Sequence, residues 1–192
     1  VLENLCHERR GLILAVGMTG SGKSTTIASM IEYINHNFKR HIVTIEEPIE
    51  YIFKDKKSTI SQREIGRDVC DYEDALKQMA TLSADVLMVG DIRDANICSA
   101  VLKAAEKGIL VISALHSTNA QTTVESLVNL FPPEQHNRVF NRLSLFLKGV
   151  IAERLLPRKD QPGLIPAYEV MTLSPTIASA ITEKRIGDIP KI

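Results

Sequence analysis

Residues 17–24 read Gly-Met-Thr-Gly-Ser-Gly-Lys-Ser, the pattern G-x-x-x-x-G-K-S. Each residue type in it has a mechanical reason to face phosphate. The glycines let the backbone curl until its N–H groups point at phosphate oxygens. Lys23 can carry an ammonium to β- and γ-phosphates, and Ser24 offers a hydroxyl to Mg²⁺. The candidate nucleotide-binding residues are Gly17, Thr19, Gly20, Ser21, Gly22, Lys23, Ser24 and Thr25, with ATP and Mg²⁺ as the ligands. Three other places carry matching chemistry. Val86-Leu87-Met88-Val89-Gly90-Asp91 is an apolar run ending in an acid; such an acid beside a phosphate loop can hold Mg²⁺ or orient a water. Glu46 and Glu47 end the run His41–Ile45, and a carboxylate there can act as general base on an attacking water. Glu46 is the stronger candidate of the two. His116, followed by Ser117, Thr118 and Asn119, ends the run Ile109–Ala114 and could sense a γ-phosphate. The candidate catalytic residues are thus Glu46, Asp91 and His116, and the candidate metal ligands Ser24 and Asp91.

These residues do chemistry together only if strands deliver them to one edge. Gly11–Val16 reads as a buried strand before the loop, and Gly22–Ile34 as a helix after it, with Ile27, Met30, Ile31 and Ile34 on one face. A helix N-terminus at that point completes an anion site. The runs 41–45, 86–89 and 109–114 are further strands. The stretch 50–65 alternates weakly and predicts two short strands or a hairpin. Asp71 caps a helix through Ala75, Leu76, Met79 and Leu82, and Asp94 caps one through Glu106. Helices follow at Ala120–Leu130 and from Pro132-Pro133 to about Ala152, then a strand at 165–171 and a helix at 175–184. Strands alternating with helices predict an α/β fold with a mainly parallel sheet covered by helices on both faces. Residues 1–10 read as the end of a linker or upstream helix, and 11–192 as the domain itself. The chain begins at Val1 and reads as a piece of a longer protein.

Composition narrows the classes. The 192 residues suffice for one domain with a substantial core. Lys+Arg and Asp+Glu are 23 each, and this zero balance argues against a dedicated nucleic-acid binder. No apolar stretch reaches the ~18–20 residues of a membrane span. The three cysteines, Cys6, Cys70 and Cys98, form no C-x-x-C pair, so they predict reduced thiols in a cytosolic protein.

Five segments together resemble the type II/type IV secretion ATPases. They are Gly17–Thr25, Thr44–Glu50, Gln62-Arg63-Glu64-Ile65-Gly66, Val89–Asp94 and Leu115-His116-Ser117. They are similar to that family's Walker A, Asp box, Q-R-E-V-G segment, Walker B and His box, over about Gly11 to Ile192. The Gln62–Gly66 segment is most similar to the pilus-retraction branch. The resemblance implies a RecA-like P-loop NTPase domain below a PAS-like upstream domain. It implies a homo-hexameric ATP hydrolase at the cytoplasmic face of the inner membrane, associated peripherally with it through a pilus platform protein. It also implies withdrawal of type IV pilin in twitching motility. The departures are specific. The Walker B acid is Asp91 where the family has Glu, which retracts the carboxylate by roughly 1.5 Å. The Asp box reads Glu46-Glu47, and Ile109 stands where the family has His. These changes suit slow hydrolysis, or a weakly active subunit working in a mixed ring with an active paralogue. A type IV secretion traffic ATPase is the further alternative, disfavoured by Gln62–Gly66.

Overall fold

The computed structural model describes residues 1–79 and 83–191. Seven strands form one sheet: β1 (Gly11–Val16), β2 (His41–Glu46), β3 (Thr59–Glu64), β4 (Val86–Asp91), β5 (Leu110–Leu115), β6 (Leu147–Pro157) and β7 (Leu164–Thr172). Their spatial order is β3-β2-β4-β5-β1-β6-β7. The first six are parallel, and β7 returns antiparallel to β6.

The central strands are apolar because both their faces are covered. On β1, Leu12, Leu14 and Val16 point into one core and Ile13 and Ala15 into the other. The second of these cores is closed by α1 (Leu2–Cys6) and α2 (Lys23–Asn37), which contributes Ile27, Met30, Ile31 and Ile34. The first is closed by α3 (Tyr72–Met79), α4 (Ala95–Glu106), α5 (Ala120–Asn129), α6 (His136–Phe146) and α7 (Pro175–Thr182). This is the α/β sheet with helices on both faces that the alternation predicts.

The helix starts follow their caps. Asp94 accepts from the Ile97 amide at 2.9 Å and Ser174 from Ile177 at 3.2 Å. Asp71 accepts from Asp74 at 2.7 Å. Leu82, expected on the α3 face, lies outside the described residues.

Two expectations are corrected. The stretch 50–65 is not a hairpin. Only Thr59–Glu64 is a strand, and it pairs parallel to β2. Buried Asn35 takes the place of a strand partner for the segment before it: its side chain accepts from the Lys56 amide and donates to the Lys54 carbonyl, and its carbonyl accepts from Lys57 and Ser58. The helix expected to reach Ala152 ends at Phe146, and Leu147 begins β6. Leu143, Leu147, Val150 and Ile151 have helical spacing by coincidence; the register shifts after Leu147, and from Val150 onward successive residues face the sheet's two sides in turn.

Candidate active site

The loop between β1 and α2 is shaped by backbone that only glycine serves well. Gly20 and Gly22 have φ of 77° and 109°, a left-handed region that costs other residues energy. Gly17 is required by proximity: a Cβ there would lie 2.3 Å from Ser21 Oγ and 2.6 Å from the Glu153 carbonyl. Gly22 is the N-cap of α2, so the free amides of that helix's first turn open at the loop. Lys23 Nζ donates to the Gly17 carbonyl at 3.0 Å and the Met18 carbonyl at 3.1 Å, which curls the side chain back over the loop. Ser24 Oγ donates to Glu50 Oε1 at 3.2 Å, and Thr25 Oγ1 pairs with the Tyr51 hydroxyl at 2.9 Å.

The parallel sheet brings the other candidates to the same edge. Glu46 ends β2, Asp91 ends β4, and His116 follows β5 directly. With Thr19, Gly20, Gly22, Lys23, Ser24 and Thr25 they line one cavity of about 530 Å³. Gly17 and Ser21 line an adjoining one. Glu46 is 5% exposed, and its Oε1 accepts from Thr44 Oγ1 at 2.6 Å and from Gln62 Nε2 at 3.1 Å. His116 Nε2 lies 3.2 Å from Asp91 Oδ2. The β4–β5 register shifts between Val89 and Asp91, a bulge that resets the direction of the acid. Asn119, three residues after His116, caps α5 in a reciprocal box with Thr122.

Four further residues belong to the site by position. Glu50 reaches Ser24, as described above. Glu47 pairs with Arg93 at 2.8 Å across the cavity mouth. Gln62 also donates to the Tyr51 carbonyl at 2.9 Å and accepts from the Phe53 amide at 2.9 Å. Tyr72 lines the cavity with its hydroxyl buried and, among the described residues, without a hydrogen-bond partner, and burial pushes that phenol's pKa up. Glu50 carried a signal in sequence, being an acid four residues beyond Glu46; a lone tyrosine in a helix start carried none.

The donor set suits a nucleotide with Mg²⁺. Loop amides and an ammonium meet anionic oxygen, and the Ser24 hydroxyl with nearby carboxylates meets a hard cation. Among the described residues no group of three or more His, Cys, Asp or Glu side chains is gathered tightly enough to hold a metal alone. A hard ion would therefore depend on phosphate oxygens as well.

The profile of the family described as Type II/IV secretion system protein matches residues 1–176. The chain is 39% identical over 189 residues to a protein of Pseudomonas aeruginosa named type IV pilus retractation ATPase PilT, covering 98% of this chain and 55% of that one. It is 37% identical over 189 residues to type IV pilus ATPase PilU of the same organism, covering 98% and 50%. A solved structure described as the pilus retraction motor PilT with bound ADP superposes with a TM-score of 0.95 at 45% identity, over 99% of this chain and 55% of that one. The chain thus spans about half the length of the relatives it matches.

Proposed function

The chain belongs to the type II/IV secretion system protein family, and from that membership we propose that it is the RecA-like ATPase domain of a hexameric motor driving type IV pilus retraction. The observation that carries the reading is convergence: the phosphate loop, Glu46, Asp91 and His116 leave four neighbouring strands at one edge and line one cavity. Identity to the PilT and PilU proteins supports the biological role. The motor acts at the cytoplasmic face of the inner membrane, against a platform protein; among the described residues no helix is long and apolar enough to cross a membrane.

The residues divide the work. Lys23 exchanges two carbonyl partners for β- and γ-phosphate oxygens, a stronger charge-assisted contact. Ser24, whose hydroxyl donates its proton to Glu50, would hold Mg²⁺ through its oxygen, with Asp91 as the acidic partner. Bound Mg²⁺–ATP supplies the scissile phosphoanhydride and the charge compensation between phosphates. Glu46 accepts the proton of the attacking water. Thr44 and Gln62 both hold its Oε1, so among the described residues its two hydrogen bonds leave Oε2 for that water. His116, beside Asp91, faces the γ-phosphate position and reports its presence to α5 through the Ser117–Thr122 bond of 2.7 Å.

The test is steady-state ATP hydrolysis and nucleotide binding by the full-length protein. Glu46→Gln is expected to bind ATP as before and to stop hydrolysis, since the amide keeps the shape but cannot take a proton. Lys23→Ala is expected to lose binding. Unchanged turnover in Glu46→Gln removes Glu46 as base and moves the role to Glu47 or Asp91.

A second reading has its own observation, the short acid Asp91. In that reading the protein is a weakly active subunit that works in mixed rings with an active paralogue, and PilU-type relatives suit it. Slow turnover alone, restored on mixing with the paralogue, is its expected signature.

A further inference from the structure

Glu153 sits on β6 directly beneath the phosphate loop and takes no part in the chemistry above. It is 2% exposed. Its carbonyl closes on Gly17, and a side chain at Gly22 would meet its two carboxyl oxygens at 3.7 and 3.9 Å. Thr26 Oγ1, in the first turn of α2, donates to Oε2 at 2.7 Å. Oε1 is buried with no hydrogen-bond partner among the described residues. Ser21 Oγ is buried and unpartnered among the described residues as well, and both residues line the cavity beside the loop. A buried carboxyl with one orphaned oxygen is a costly thing to keep ionised.

The surroundings offer one compensating charge. α2 presents Lys23, whose ammonium favours the ionised carboxyl. β7 presents Tyr168 opposite Glu153 in the ladder, and β1 ends beside it in Ala15, Val16 and Gly17. Arg154, next in the chain, lines the same cavity beside the loop, but Lys23 is the charge that acts on the Glu153 carboxyl. Burial outweighs Lys23 and the Thr26 bond, and the Glu153 carboxyl titrates above its ordinary range. Phosphate in the loop pushes further in the same direction. It brings negative charge above Glu153, and it draws the Lys23 ammonium away from the Gly17 and Met18 carbonyls toward itself.

Accepting the nucleotide-binding reading above, we infer that Glu153 is a proton-linked positioning residue: nucleotide enters the loop together with a solvent proton that neutralises the Glu153 carboxyl. The neutral acid keeps the Thr26 bond at Oε2 and turns Oε1 from an orphaned acceptor into a donor. Affinity for nucleotide therefore falls as pH rises, by up to tenfold per pH unit where the empty site is ionised and the filled site protonated.

The test is titration of the full-length protein and its Glu153→Gln variant with Mg²⁺ and a fluorescent ADP analogue between pH 5 and pH 9. The nucleotide's own terminal phosphate titrates in this range, so the readout is the difference between the two proteins. Glu153→Gln is expected to bind more tightly at pH 8–9, to have the shallower pH dependence, and to converge with the parent as pH is lowered. Glutamine can still accept the Thr26 bond, so a purely structural role predicts parallel curves, and parallel curves overturn the inference. Glu153→Ala, which removes the Thr26 bond too, is expected to share the shallow slope; a steep slope in that variant also overturns it. If parent and variants alike fail to bind at every pH, the nucleotide-site reading falls first and carries this one with it. If all bind with one slope, only the Glu153 assignment is lost.

Discussion

Asp91 is the residue on which we propose that the rate turns. Its carboxylate is one methylene shorter than a glutamate's, and its backbone leaves a bulge at the end of β4. If arm length limits turnover, Asp91→Glu raises kcat about tenfold, which is about 1.4 kcal/mol of barrier, with little change in nucleotide affinity. A fall in kcat shows instead that the bulge has already set the acid against His116 at 3.2 Å. Tyr72 offers a contrasting case. Its buried hydroxyl has no partner among the described residues, yet it would stand 2.8 Å from a Cβ at Gly90. Tyr72→Phe is expected to leave thermal stability unchanged or slightly raised, because the variant removes an unsatisfied polar group and keeps the ring. A clear drop in melting temperature means that the hydroxyl has a partner in solution. The phosphate loop, Glu46, Asp91 and His116 were legible as strand-end polar residues. Glu153 was not: it lies in a segment whose apolar residues repeat at helical spacing, and nothing local marks a glutamate there as buried.

At the scale of elements, the sheet edge is what makes a site from scattered residues. β1, β2, β4 and β5 were readable because short, β-branched, doubly buried strands have few alternatives in sequence. The antiparallel ribbon of β6 and β7 was half missed, since the α6–β6 junction contains no proline and its one glycine, Gly149, comes after the turn. Asn35 was equally hidden, because a helix residue that satisfies a neighbouring loop's backbone looks like any polar helix residue. The loop after β1 yields the sharpest element-level expectation. Gly17→Ala would push a methyl against Ser21 and against the β6 backbone at Glu153, which cannot rotate away. Overpacking of this kind costs about 1–3 kcal/mol. Nucleotide binding is expected to be lost before the fold is, read by titration alongside circular dichroism. Asn119→Ala, which deletes the α5 capping box, is expected to cost about 1 kcal/mol of stability.

For the molecule as a whole, burial decides which groups respond to solvent. Cys6 and Cys98 lie inside the two cores, and burial pushes their thiols up to about 11 and about 12, while Cys70 is exposed. A thiol reagent at pH 8 is expected to modify Cys70 quickly in the native protein and all three cysteines only after denaturation; rapid native labelling of three thiols contradicts the packing. Glu153 ties global stability to pH with a definite sign. Its folded pKa is raised, so the folded state holds that proton more tightly than the unfolded state does. Its contribution is fully present below the unfolded carboxyl's range and is lost as pH rises through the folded value. Glu153→Gln is accordingly expected to melt higher than the parent at pH 8 and alongside it at pH 4, by calorimetry at the two pH values.

The bonds around Gln62 have a practical consequence. Its amide nitrogen holds the Glu46 carboxylate, and its amide oxygen holds the backbone N–H of Phe53. The Phe53 proton is therefore a gauge wired to the proposed general base by a single side chain, in the wall of the same cavity. If Glu46 is the base, a proton taken at Oε2 weakens the hold of its Oε1 on Gln62 and lets the pair shift, and the Phe53 amide becomes available to exchange with deuterium. Tracking that one exchange rate through a catalytic cycle would time the base's movement with no label attached to the protein and none on the nucleotide.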